Sequence, residues 1–195
     1  ITGLTQGFSI LIAQKFGEGD LPGMRKAAGN ALALSGVLAV ILVFVGEILV
    51  APMLQILHVP EEVAPMSAEY LRVIFGGMAV VMAYNILAAL LRALGDSKTP
   101  LYSMMVAAAV NVGLDLLFVA VFGWGVRGAA VATVIAQGCS AVFCLMRILK
   151  IEILAFCRND FVPEPRLAGR LLFLGMPMAL QNILISIGGI DCSDS

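Results

Sequence analysis

The chain has 195 residues, 61% of them hydrophobic and 13% charged, with a net charge of −1 and a mean hydropathy of +1.00. Soluble domains carry roughly 25% charged residues, so a water-soluble globule is excluded and a polytopic helical membrane protein, all-α, is indicated. No basic patch points to nucleic acid, and none is expected as a partner.

"ITGLTQGFSILIA" is apolar up to Lys15 and too short to span ~30 Å of hydrocarbon. It reads as the tail of a helix that starts upstream, with "GLTQG" (3–7) as a small-xxx-small packing pattern. "GEGDLPG" (17–23) breaks the chain. Four complete spans follow at about 29–51, 66–91, 100–122 and 126–147, each long enough to cross a bilayer at 1.5 Å per residue. Their connections are "HVPEEVAP" (58–65), a helix-start signal, "GDSKTP" (95–100), which stops one helix and starts another at a proline, and "GWG" (123–125), a tight turn with an interfacial tryptophan. A linker, 148–167, leads to a sixth segment at 168–190. There "LISIGGI" passes abruptly into the polar tail 191–195, "DCSDS", and the chain reads as a fragment.

The basic residues orient the spans. Lys15, Arg25, Lys26, Arg92, Lys98, Arg147, Lys150, Arg158, Arg166 and Arg170 all flank the first, third and fifth connections; only Arg72 and Arg127 fall on the other side. Positive charge marks the cytoplasmic face, so those three connections are expected inside.

Charge at membrane depth costs about +2.5 to +3.5 kcal/mol on insertion scales, which singles out "NVGLDLLF" (111–118). Asn111 and Asp115 are four apart and share a helix face, with Ala107 and Phe118 continuing it. Asp115 falls about 6 Å outward of the midplane. Thr133, on the antiparallel neighbour, falls at nearly the same level, about 5 Å outward. An amide oxygen, a carboxylate and a hydroxyl thus converge, with backbone carbonyls of "GVRGAA" (125–130) at hand. Such an all-oxygen nest suits a small hard cation or a proton. The bland alternative is interhelical hydrogen bonding alone. Asn85, Gln137 and Gln181 are further deep amides and candidates for a substrate cavity. Glu69 and Arg72, three apart at the outer end of their helix, are expected to pair.

Other features suggest structure. Cys139, Cys144, Cys157 and Cys192 show no CxxC spacing, no disulfide framework and no zinc pattern, and read as small buried residues. The ten methionines suit core or lipid contact, and His58 an outer loop.

"GFSILIAQKFGEGD", "RALGDSKTP", "NVGLDLLF", "GVRGAAVATVIAQ" and "GMPMALQN" occur in that order, and together they resemble the multidrug and toxic compound extrusion (MATE) transporters. The resemblance implies a two-lobe protein of six plus six helices with a central drug cavity that alternates its access. It would make 1–147 a partial N-terminal lobe, 148–167 a cytoplasmic inter-lobe linker and 168–190 the first helix of the C-terminal lobe. It implies a cation or proton site at Asn111, Asp115 and Thr133, with the Ala129 carbonyl and the Tyr70 ring nearby; the site would bind Na⁺ as a metal only if coupling is to sodium. The family's first helix, which brings a second acidic partner, has no counterpart here, so this chain would not transport alone.

The implied function is a Na⁺- or H⁺-driven antiporter, not an enzyme. It exports amphipathic or cationic organic compounds across the inner membrane of a prokaryote, as a monomer among lipids and without cofactors. A lipid-linked glycan flippase of a related branch is the alternative, disfavoured by acidic rather than cationic residues at depth. An intramembrane aspartyl protease fails because Asp96 lies at the cytoplasmic helix end, far from Asp115, and "RALGD" lacks the first glycine of GxGD. A non-transporting helical fragment is the remaining reading.

Overall fold

Asp20 and Asp96 do the same job at two helix–helix turns. In each turn a glycine at positive φ, Gly19 (74°) or Gly95 (84°), ends one helix. The glycine N–H bonds back three residues, to Phe16 or Arg92, and the following aspartate N–H bonds back five, to Lys15 or Leu91. This double bond set closes a helix C-terminus and needs a left-handed residue. The aspartate side chain then caps the next helix, Asp20 accepting from the Gly23 N–H at 3.0 Å and Asp96 from the Thr99 N–H at 3.0 Å.

The computed structural model describes residues 2–56, 64–151 and 165–191. They form α1 (Thr2–Gly17), α2 (Leu21–Ile56), α3 (Ala64–Ala93), α4 (Lys98–Asp115), a π-helical continuation (Leu116–Val121), α5 (Gly125–Leu149) and α6 (Pro165–Asp191), with no strand among the described residues. Leu21–Ile56, Ala64–Ala93, Lys98–Val121 and Gly125–Leu149 are long and apolar enough to cross a membrane, one for each predicted complete span. Helix α2 runs 36 residues, about 54 Å, well beyond the predicted 29–51. His58, Cys157, Cys192, most of the 148–167 linker and residues 192–195 lie outside the described residues.

Helix α3 packs against α1, α2 and α5; α5 carries α4 on another side; α6 lies along α1. The main buried cluster gathers around Phe8, Ile12, Met24, Leu90, Cys144 and Leu171. Gly3 and Gly7 press α1 onto α6. A Cβ at Gly3 would fall 2.6 Å from the Met178 carbonyl oxygen, and one at Gly7 would collide with the Gly175 backbone. The predicted "GLTQG" packing face is therefore real, and α6 is its partner.

Two expectations are corrected. Glu69 does not pair with Arg72: it takes Arg127 of α5 at 3.4 Å, while Arg72 reaches Glu47 of α2 at 3.9 Å. The partners are set by helices that cross at the outer rim, a constraint stronger than three-residue spacing on one helix. Cys139 is exposed rather than buried; Cys144 is buried, as expected.

Candidate functional site

The site is built on the α4–α5 pair. Small residues hold the two helices close: Ser103 and Ala107 on α4 and Ala132, Ala136 and Ser140 on α5 are buried. Nearer the start of α4, the Ser140 hydroxyl donates to the Ser103 backbone carbonyl at 2.7 Å, and the Ser103 oxygen stands 3.4 Å from the Cys144 sulfur.

Thr133, expected level with Asp115, meets Asn111, one turn before Asp115 on the same face of α4. The Asn111 amide nitrogen lies 3.3 Å from the Thr133 hydroxyl, which donates to the Ala129 carbonyl at 2.9 Å. With the amide turned over, its nitrogen instead reaches Asp115 Oδ2 at 3.3 Å and its oxygen accepts from the Thr133 N–H at 3.3 Å. The two orientations link the same helices, and the second draws Asp115 into the network. Asp115 Oδ1 is buried and has no hydrogen-bond partner, and so is Gln137 Oε1, one turn inward of Thr133 on the same face of α5. Buried oxygens without donors are the exception in folded proteins and call for an explanation; acceptors aimed at a cation or a carried proton are one.

Directly after Asp115 the helix widens. Leu116–Val121 is a π-helical turn, in which the N–H of Phe122 bonds to the Leu117 carbonyl at 3.0 Å. Single π turns inside α-helices occur frequently at functional sites. The widened turn carries Phe118 onto Trp124, ring centroids 5.1 Å apart, and against Gly128, where a Cβ would meet the Phe118 Cβ at 3.0 Å. Gly123 and Gly125 flank Trp124 at φ 65° and 55°. They make the tight turn expected of "GWG", which any side chain at those two positions would strain.

The remaining candidates are dispersed. Tyr70 is 37% exposed on α3 and makes no hydrogen bond to Asn111, Asp115 or Thr133. Asn85 donates to the Val81 carbonyl of its own helix at 2.8 Å. Gln181 is exposed on α6. At the outer rim a groove of about 430 Å³ opens between α3 and α5, lined by Met66, Glu69, Trp124, Val126, Arg127 and Val131. Sequence reasoning missed two features, the π turn and the unpartnered Gln137 oxygen. Apolar composition carries no signal for the first; position 137, four residues after Thr133, was a signal for the second.

The MatE family model matches residues 1–117, which include Asn111 and Asp115. YpnP of Bacillus subtilis, described as a probable multidrug resistance protein, is 32% identical over 188 residues, covering 96% of this chain and 42% of the relative. NorM of Thermotoga maritima, described in the same words, is 29% identical over 195 residues, covering 94% of this chain and 40% of the relative. A crystal structure of MATE in complex with MaD5 superposes with a TM-score of 0.90 at 26% identity, over 97% of this chain and 43% of that one. The chain thus spans well under half the length of the relatives it matches.

Proposed function

The chain belongs to the MatE family of multi-pass membrane proteins, and we propose from that premise that the whole protein is a cation-coupled antiporter. In this reading it exports amphipathic, often cationic, organic compounds across the cytoplasmic membrane of a prokaryote. Inward Na⁺ or H⁺ drives it, and it is a transporter rather than an enzyme.

The observation that carries the proposal is the oxygen cluster at the α4–α5 contact. Asp115 supplies the charge, and one of its oxygens is buried without a donor. Asn111 supplies an amide that can present either oxygen or nitrogen. The Thr133 hydroxyl spends its proton on Ala129, so its oxygen acts only as an acceptor, and with the Asn111 amide turned over it has no donor and can face a cation. Hard cations such as Na⁺ take oxygen ligands, and the same acceptors serve a proton. Tyr70 makes no hydrogen bond to this cluster, and any part it takes would be through its ring lying nearby.

Cation binding at one conformation's cluster and drug binding at another's cavity exchange free energy only through differential affinity for the two states. Neutralising Asp115 removes that difference. Efflux of a fluorescent cationic dye by the full-length protein carrying Asp115→Asn is expected to lose its response to an imposed Na⁺ or pH gradient. Gradient-driven efflux that equals the native rate would remove Asp115 from the mechanism.

A further inference from the structure

At the cytoplasmic ends of α4 and α5 the structure carries a second polar feature, on the far side of α4 from Asp115. Tyr102 and Asp115 are thirteen residues apart, about 220° around the helix at 3.6 residues per turn. A cavity of about 330 Å³ lies there between the two helices, lined by Thr99, Tyr102, Phe143, Met146, Arg147 and Lys150. A second, of about 470 Å³, shares Arg147 as a wall and brings in Lys98 and Asp96.

The charges are unequal. Arg147 gives only its Nε to Asp96 Oδ2, at 3.2 Å, so both terminal nitrogens of its guanidinium have no protein partner among the described residues. Lys98 and Lys150 are exposed and form no ion pair among those residues. Among the described residues, three cations therefore line the two cavities against one carboxylate, Asp96, which already caps α4 through Thr99.

The polarity is also ordered by depth. Lys98 and Lys150 mark the helix ends. Tyr102 and Met146 lie four residues further in, about 6 Å, and Phe143 seven residues in, about 10 Å. All three are exposed at 57%, 51% and 39%. A cationic mouth over an apolar, aromatic-walled groove matches one molecule that a membrane supplies in quantity, with a phosphate above and an acyl chain below. Basic pockets between helices on the cytoplasmic side are suited to such headgroups.

We infer that this groove is a binding site for an anionic phospholipid of the inner leaflet. The phosphate sits against Arg147 and Lys150, with Lys98 in the adjoining cavity across Arg147 adding to the positive field, and an acyl chain runs along Tyr102, Met146 and Phe143. The inference does not depend on what the protein transports.

Native mass spectrometry of the full-length protein in detergent tests it, with phosphatidylglycerol and phosphatidylethanolamine titrated separately. Phosphatidylglycerol is expected to bind more tightly, and the double variant Lys98→Gln/Lys150→Gln to weaken it by about thirtyfold while phosphatidylethanolamine binding stays unchanged. Arg170→Gln, a cytoplasmic-side cation outside the groove, serves as the control and is expected to leave phosphatidylglycerol affinity as it was. Three results would each overturn the inference: equal affinity for the two lipids, an Arg170→Gln loss as large as the double variant's, or displacement of phosphatidylglycerol by millimolar inorganic phosphate, which would make the site one for free phosphate.

Discussion

The Asn111 amide stands 3.3 Å from Thr133, through its nitrogen to the hydroxyl or, turned over, through its oxygen to the backbone N–H, and this contact ties α4 to α5 one helical turn before Asp115. Thr133→Val keeps the shape and removes the hydroxyl, leaving Asn111 without that partner and the cluster without one oxygen. Thr133→Ser keeps both. The valine variant is expected to weaken the cation or proton response roughly tenfold, the size of one lost hydrogen-bonding group, and the serine variant to respond as the native protein does. Trp124 is the chain's one tryptophan and stacks on Phe118, three residues beyond Asp115, so its fluorescence is a direct readout. Identical titrations for valine and native proteins would detach Thr133 from the site.

The four complete spans were legible because lipid imposes a composition that nothing soluble shares, whereas the depth arithmetic of 1.5 Å per residue set Thr133 level with Asp115 and the folded chain hydrogen-bonds it to Asn111, one turn earlier on α4. What stayed hidden depends on how helices cross. Glu69 chose Arg127 over Arg72 because α5 passes within reach at the rim, a fact that spacing along α3 does not contain. The π turn after Asp115 is equally silent in "LLFVAV", a run any α-helix accommodates. "GLTQG" announced a close contact, but only the folded chain identifies α6 as the surface it meets.

That contact gives a sharp contrast between two glycines of α1. A methyl group at Gly7 would meet the backbone of Gly175, which cannot rotate aside; at Gly17 it would meet nothing within 4 Å. Gly7→Ala is expected to destabilise by about 1–3 kcal/mol, the range for overpacking, and Gly17→Ala to be neutral or slightly stabilising, since alanine is the better helix former. Thermal unfolding of the detergent-solubilised full-length protein compares them. Equal melting temperatures for the two variants would mean that α1 and α6 do not touch as described.

The outer rim predicts weak coupling in a specified pattern. Glu69 and Arg127 are 56% and 59% exposed, and Arg72 and Glu47 are 65% and 40%. Pairs so open to water contribute about 0–1 kcal/mol and are screened by salt. Double-mutant cycles with glutamine replacements are expected to give small coupling for Glu69–Arg127 and Glu47–Arg72, fading in high salt, and none for Glu69–Arg72. A Glu69–Arg72 coupling larger than the other two would restore the pairing that spacing alone suggested.

Asp96 makes the pH dependence of the cytoplasmic turn predictable in sign. The Thr99 hydroxyl bonded to its carboxylate holds its pKa below the usual carboxylate value; burial opposes this, while the Thr99 N–H and then Arg147 add to it. A carboxyl whose folded pKa lies below its unfolded one binds fewer protons folded than unfolded. Its stabilisation is therefore complete above the unfolded value, near 4, and is lost as pH falls through the folded value. Asp96→Asn retains a capping side chain and removes the charge. The variant is expected to be less stable than the native protein by about 1 kcal/mol or less at neutral pH, with the gap constant down to about pH 5 and closing in acid. Melting curves of both proteins between pH 3 and pH 8 measure it. A gap that widens as the solution is acidified would show that the carboxylate of Asp96 is held above, not below, its unfolded pKa, and would break the link between this turn and its Thr99 and Arg147 partners.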